Sequence, residues 1–150
     1  CQKTWEDSPY GREKDFYGTS NNNRNAMTTD GTARIMEEIM QNIIFDEKNI
    51  NLKNCLFRQI KEQSQDKDAN DQINGFLGEG LPQNIPFWSK AGLMSEARND
   101  VAWWINKNQS KTLLVVFTEG KEFANDNNFL PEFSKAIYEF IHSEKLINLP

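Results

Sequence analysis

Cysteine and histidine are scarce in this sequence. Among its 150 residues there are two cysteines, Cys1 and Cys55, and a single histidine, His142. Two cysteines cannot form the framework of a disulfide-dense domain, and their spacing is not that of a metal site. A lone histidine argues against a metal site built on several histidines and against a multi-histidine relay. We therefore expect the chain to hold no metal.

Long apolar runs and basic blocks are absent as well. No run approaches the roughly 18 apolar residues that a membrane-spanning helix requires, so we expect no membrane span. Acidic residues outnumber basic ones by 22 to 17, and the net charge is -5. Without a concentrated basic patch, the electrostatic signature of nucleic-acid binding is missing. At this length the chain is one domain or a large part of one.

The chain begins with Cys1 rather than with methionine. Such a start indicates a processed product, a fragment or a trimmed chain. A mature bacterial lipoprotein also begins with cysteine, but no signal segment supports that interpretation here. We expect truncation to be the explanation.

Residues 1–27 are polar and rich in turn-forming residues, and a segment with helical spacing comes after them. Five apolar residues recur at the i, i+3, i+4, i+7 and i+8 positions of one helix face. They are Met36, Ile39, Met40, Ile43 and Ile44. Thr28 or Thr29 can cap the helix by accepting a hydrogen bond from a free backbone N–H, and we expect the helix to run to about Phe45.

A second helix is predicted directly afterwards. Its apolar face consists of Leu52, Cys55, Leu56 and Ile60. On that face Cys55 is expected to be a buried small apolar residue.

Three strands are predicted in the second half. Residues 85–90 contain Pro86, which indicates an edge strand or a strand start. Residues 101–105 and 113–117 are rich in β-branched and aromatic side chains, and the polar segment between them is typical of a hairpin loop. The adjacent Trp103 and Trp104 should face opposite sides of the sheet.

The last predicted element is a helix that opens at Pro131, because proline is favoured at the first helical position. Its expected buried face consists of Phe133, Ala136, Ile137, Phe140 and Ile141. Helices, three antiparallel strands and a final helix together indicate an α+β fold, with the helices packed on an antiparallel sheet.

Candidate chemistry lies at Lys90-Ala91-Gly92, at the end of the first predicted strand. A lysine on an edge strand can hold a substrate carboxylate or help to move a proton near a serine nucleophile. Gly92 lets a ligand backbone approach and pair with the strand edge. The backbone N–H of Leu93 can point at a developing oxyanion. A triplet this short also occurs by chance, so the surrounding residues must decide.

Those surroundings are specific. Leu81-Pro82 precedes FWSKAG at 87–92, and RNDVAW at 98–103 and LVVFTEG at 114–120 follow. In order and spacing these segments resemble the C-terminal part of class A β-lactamases and their penicillin-binding relatives, in which a strand carries Lys-Thr-Gly or Lys-Ser-Gly. Upstream, NAMTT at 25–29 resembles the entry into the helix after the family's omega loop. The resemblance covers about residues 11–145.

The resemblance implies that residues 1–150 are the C-terminal part of a single β-lactamase/transpeptidase-like domain. That part would be incomplete, with three strands and about three helices. Residues 1–27 would correspond to the omega loop, 28–80 to a helical part, and 81–146 to the strands and terminal helix.

The resemblance also implies roles for individual residues. Lys90 would be the catalytic lysine of the strand motif, and Gly92 the glycine that opens the substrate-binding edge. Leu93 would supply its backbone N–H to the oxyanion, and Arg98 would help to bind a substrate carboxylate. This assignment requires the Lys90 amine and the Arg98 side chain to share one face of the sheet.

Ala91 stands in the substrate-binding motif where the family has Thr or Ser. The missing hydroxyl removes a hydrogen bond to a carboxylate, typically worth ~1.5–3 kcal/mol. The family's nucleophile motif, Ser-x-x-Lys, would lie upstream of these 150 residues. Two look-alikes are rejected: Ser64 to Lys67 is too polar and too late in the chain, and Ser20-Asn21-Asn22 lies too close to the first helix.

The omega-loop segment offers a general base. In the family, an Arg-x-Glu element carries the glutamate that activates the deacylating water. Here Arg12-Glu13-Lys14-Asp15 occupies a similar place, with Glu13 as the first candidate and Asp15 as the second.

The implied function is that of a bacterial serine acyl-hydrolase acting on a β-lactam or a peptidoglycan-type amide, without cofactor and outside the cytoplasmic membrane. Lacking the nucleophile segment, this chain alone should be inactive. The alternatives are a decayed binding or assembly module of the same fold, favoured by Ala91, and a half-domain completed by a second copy or by an N-terminal segment. An unpaired sheet edge would promote such association.

Overall fold

The structure is a computed structural model, and it describes residues 26–41, 52–60 and 72–143. Helices pack against a four-stranded antiparallel sheet, so the predicted α+β class is confirmed. The helices are α1 (Thr29–Gln41), α2 (Leu52–Leu56), α3 (Lys121–Asn125) and α4 (Phe129–Ser143), and a 3-10 turn spans Leu77–Gly80. The strands are β1 (Phe57–Arg58), β2 (Phe87–Met94), β3 (Ala97–Ile105) and β4 (Lys111–Val116).

The sheet has the order β1-β2-β3-β4, with every neighbouring pair antiparallel. The three predicted strands are present, but β2 continues beyond its predicted end to Met94 and β3 begins earlier than predicted, at Ala97. In its register Phe87 lies opposite Trp104, and Lys90 lies opposite Val101. Side chains alternate between the two faces of a strand, so this register fixes which side chains share a face.

The two faces of the sheet cover separate cores. On the face that we call the α4 face, Phe87, Ala102 and Trp104 pack with Leu130 of α4 and Leu77 of the 3-10 turn. On the opposite face, the α1 face, Val101 and Trp103 pack with Met36 of α1. Trp103 and Trp104 therefore face opposite sides, as their adjacency predicts, and both are buried.

Helix α1 begins where its capping residue predicts. The Thr28 hydroxyl oxygen accepts a hydrogen bond from the Gly31 N–H at 3.0 Å, which satisfies one of the free donors of the first turn. Met36 is buried against the sheet, and Ile39 and Met40 are half-buried. Helix α1 is described to Gln41; the predicted continuation through Ile43, Ile44 and Phe45 lies outside the described residues.

The predicted second helix is wrong beyond Leu56. The chain leaves the helix there and forms β1, in which Phe57 pairs with Trp88 and Arg58 with Phe87. The rings of Phe57 and Trp88 make an edge contact at 5.7 Å. Pairing with β2 thus overrides the helical spacing, and it adds a fourth strand to the expected three. Cys55, expected to be buried, is exposed.

The predicted buried face of the terminal helix is wrong at three exposed positions, Phe133, Ala136 and Phe140, whereas Ile137 and Ile141 are half-buried. Leu130 and Ser134 are fully buried, whereas Phe133 and Phe140 are 37% and 58% exposed. Ser134 can lie on the buried face because its hydroxyl donates a hydrogen bond to the Pro131 carbonyl at 3.0 Å. A serine that bonds its own helix in this way can be buried without an unsatisfied hydroxyl.

Gly80 allows the 3-10 turn to approach α4 closely. A Cβ at this position would collide with the carbonyl oxygen of Pro131 and with the hydroxyl of Ser134. The backbone of α4 cannot retreat without moving the fully buried Leu130. A glycine is therefore required where the turn meets the helix.

We predict that Gly80→Ala destabilises the protein by about 3 kcal/mol, because the new methyl group must displace the α4 backbone. Gly92→Ala is the matched control, since a Cβ at Gly92 would meet nothing within 4 Å. Urea unfolding of both variants measures the difference. Equal stabilities for the two variants would contradict the close approach.

Candidate active site at the free margin of strand β2

Strand β2 has an unpaired margin. Strand β1 pairs only with Phe87 and Trp88, and no other strand in the described part of the chain lies beside residues 89–94 on that side. The peptide groups along this margin are available to ligands or side chains. An open strand edge of this kind binds extended main chains.

The backbone of β2 presents alternate residues to this margin. The Ala91 N–H donates to the Gln72 side-chain oxygen at 3.2 Å, which shows that the peptide group of Ala91 points away from β3. The Pro86 carbonyl instead accepts from the Ile105 N–H at 3.1 Å, on the side of β3. Because orientation repeats every second residue, the Leu93 N–H also points out of the margin. This is the orientation that an oxyanion donor needs.

Lys90 lies on the α1 face of this margin strand and is exposed. Its ammonium group donates a hydrogen bond to the carbonyl oxygen of Ala91, at the strand margin. The positive charge is therefore held beside the outward-facing peptide groups. A ligand anion bound along the margin would meet this charge.

Ala91 and Gly92 have opposite surroundings. Ala91 is buried on the α4 face, where it lies opposite Asp100. Gly92 lies on the α1 face with no atom near the position of a Cβ, so a ligand backbone could approach it without obstruction. Leu93 is 54% exposed at the end of the same segment.

The expectation that Lys90 and Arg98 share one face is wrong. Arg98 lies opposite Leu93 in the register, and this pairing places its side chain on the α4 face. Arg98 is only 5% exposed, and little of its surface remains for a substrate. The joint assignment that required Arg98 beside Lys90 therefore fails. The structure keeps Lys90, Gly92 and the Leu93 N–H together along the margin, and any role for these three residues rests on the margin alone.

The Arg98 guanidinium instead joins three segments of the α4 side. It donates to the Gly75 carbonyl at 3.0 Å, to the Ala124 carbonyl at 3.1 and 3.3 Å, and to the Asn127 side chain at 2.6 Å. It also lies over the Phe76 ring, 5.0 Å from its centre. Burial lowers the pKa of Arg98, and the nearby Asp126 carboxylate acts in the opposite direction. The guanidinium remains charged and fixes the loops around β3.

Asp100 is a buried carboxyl that the sequence did not single out. One carboxylate oxygen accepts the Leu77 N–H at 3.1 Å, and the other has no hydrogen-bond partner among the described residues. Burial raises the pKa of Asp100 to about 7, against the opposing effects of the Leu77 and Val101 N–H groups and of the Lys90 and Arg58 charges. The alternation of Arg98, Asp100, Ala102 and Trp104 could have indicated its burial.

The candidate bases Glu13 and Asp15 lie outside the described residues, and so do the two rejected look-alikes at 64–67 and 20–22. Within the described ranges no helix is long and apolar enough to cross a membrane. The same ranges contain no group of three or more His, Cys, Asp or Glu side chains that could hold a metal ion.

The sequence profile of one protein family, described as the β-lactamase enzyme family, matches residues 5–141. The chain belongs to the β-lactamase enzyme family. No curated protein matches it. Among solved structures, the chain is similar to the crystal structure of a β-lactamase from Streptosporangium roseum, with a TM-score of 0.61 and 18% identity. The match covers 87% of this chain and 47% of that structure, so the chain spans about half of its length.

For this β-lactamase-family chain, we predict that Arg98→Ala destabilises the fold by about 3 kcal/mol or more, because the Gly75 and Ala124 carbonyls lose their buried donors. The control is Arg34→Ala, which removes an exposed ion pair with Asp30 and should change stability by less than ~0.5 kcal/mol. Urea unfolding distinguishes them. A small effect at Arg98 would show that the guanidinium does not hold these loops.

We further predict that Asp100→Asn removes a pH-dependent loss of stability. The folded-state pKa of about 7 lies above the unfolded value of about 4, so the native state holds the proton more tightly. The stabilisation that this tighter proton binding gives the folded state is complete below about pH 4 and is lost as the pH rises through about 7. The variant should gain on the order of a few kcal/mol relative to wild type between pH 4 and pH 8.

Urea unfolding at both pH values measures this gain. Asp30→Asn, which changes an exposed carboxylate on α1, is the control and should show no such gain. A wild-type-to-variant difference at Asp100 that is the same at both pH values would contradict the raised pKa.

Proposed function

We propose that this chain is part of a serine acyl-hydrolase of the class A β-lactamase or penicillin-binding type. Its substrate would be a β-lactam or a peptidoglycan-type amide, bound along the free margin of β2. The observation that carries the proposal is the placement of the Lys90 ammonium beside a margin whose peptide N–H groups at Ala91 and Leu93 point outward.

The chemistry follows from this margin. A serine hydroxyl attacks the substrate carbonyl carbon, and the resulting oxyanion accepts the Leu93 N–H. The C–N bond then breaks, the nitrogen leaves with a proton, and the acyl group remains on the serine until water hydrolyses the ester. Lys90 would hold a substrate carboxylate and favour proton movement at the serine. Gly92 would leave room for the substrate backbone.

By the family resemblance, the serine and its lysine partner would lie before the omega-loop segment; the chain spans about half of the related structure. Glu13, or else Asp15, would activate the deacylating water. Arg98 is left out of the substrate contacts because it is buried on the other face. An enzyme of this type would work outside the cytoplasmic membrane, in the periplasm or cell envelope, and would need no cofactor.

A second candidate function is that of a decayed binding or assembly module, which Ala91 favours. The family's hydroxyl is missing at this position, and the Ala91 side chain packs in the core on the α4 face instead of offering a donor to a carboxylate. The catalytic segment could also come from a second chain that pairs with an open sheet edge. In either case the margin would still bind an extended segment, without acyl transfer.

We predict that the protein expressed from its complete gene is labelled covalently by a fluorescent penicillin, and that Lys90→Ala slows this labelling about 100-fold through loss of the ammonium. Lys107→Ala is the matched control, because Lys107 is an exposed lysine in the β3–β4 loop. Labelling rates measured on gels test both variants. Absence of labelling in the wild type would instead favour the decayed module.

A further inference from the structure

We propose that Gln72 is a specificity-determining residue of the β2 margin. Its side-chain oxygen accepts the hydrogen bond of the Ala91 N–H, which an extended ligand would otherwise accept. Any ligand must therefore displace Gln72 to pair with Ala91. This inference rests on the proposed function, in which the substrate lies along the same margin.

The contact supplies one hydrogen bond of the kind that a neighbouring strand would make. The Gln72 side-chain oxygen accepts the Ala91 N–H at 3.2 Å and lies 3.4 Å from an Arg58 guanidinium nitrogen. Arg58 is itself held by the backbone carbonyls of Cys55 and Phe57 at 2.8 and 2.9 Å. Strand β1 ends beside Phe87 and Trp88. Beyond the end of β1, the Gln72 oxygen therefore serves as the acceptor that a neighbouring strand would otherwise supply.

This placement has a physical cause. Ala91 is buried, and a buried backbone N–H without a partner is costly. Gln72 satisfies this donor in the absence of a ligand, and the Lys90 ammonium satisfies the carbonyl of the same residue. Both outward-facing groups of Ala91 are thus bound by side chains, which protects a margin that would otherwise pair with other chains.

The same placement restricts what can bind. A side-chain amide oxygen and a ligand carbonyl oxygen compete for one N–H, so a ligand gains at this position only if it supplies an oxygen acceptor of its own. The Ala91 and Leu93 N–H groups are about 7 Å apart along the strand. The margin therefore selects acyl compounds with two oxygen acceptors at about that spacing, one of them the reacting carbonyl.

Two substitutions should change labelling by fluorescent penicillin in opposite directions. Gln72→Ala removes the competing acceptor and should lower the half-saturating probe concentration about two- to tenfold, the effect of one net hydrogen bond. Gln72→Glu keeps an acceptor, strengthens its bond to Arg58 with a charge and repels an anionic probe, so it should raise that concentration. The limiting rate of acylation should stay within about twofold in both.

The experiment uses the protein expressed from its complete gene, with Gln41→Ala as a matched control on the exposed end of α1. Hydrogen exchange of the peptide that covers β2 gives a second readout, and exchange there should become faster in Gln72→Ala. A general loss of stability would move both Gln72 variants in the same direction, and thermal unfolding would report it.

The outcomes separate the two proposals. Labelling of wild type and both variants with equal half-saturating concentrations, or unchanged exchange at β2 in Gln72→Ala, would overturn the role of Gln72 and leave the proposed function standing. Absence of labelling in wild type and in both variants would overturn the proposed function itself. Labelling that is strongest in Gln72→Ala and weakest in Gln72→Glu supports both.

Discussion

The register of β2 against β3 is the constraint on which the rest of the structure depends. With Lys90 opposite Val101, one face of the hairpin closes on α4 while the other meets α1. A slip of β2 by one residue would turn Phe87 from the α4 face to the α1 face and would turn the Ala91 peptide group inward, toward β3. The outward N–H groups and the placement of the Lys90 ammonium exist only in the observed register.

Two buried polar side chains on β3 tie this register to the surrounding loops. Arg98 bonds the Gly75 and Ala124 carbonyls, and Asp100 accepts the Leu77 N–H. Polar groups buried without partners are costly, so a shifted strand would lose these bonds as well as its packing. The bonds on the α4 side therefore support the register, and the outward peptide groups of the β2 margin take no part in them.

The sequence predicted what local patterns control. The α+β class, the Thr28 cap, the central strands and the opposite faces of the two tryptophans all follow from alternation and capping chemistry. It could not predict β1, because Phe57 leaves its helical pattern only through pairing with Trp88. The buried face of α4 was missed because Ser134 satisfies its own hydroxyl. Arg98 was misplaced and Gln72 missed, because their contacts come from segments distant in sequence.

A crystal structure of the protein from its complete gene, acylated by a penicillin, tests the account most directly. The account predicts that the ester carbonyl oxygen lies within hydrogen-bond distance of the Leu93 nitrogen, with the ligand extended along residues 89–94 and near the Lys90 ammonium. An acyl group attached elsewhere, or a carbonyl oxygen held by donors outside β2, would contradict the assignment of this strand margin as the acyl-binding site.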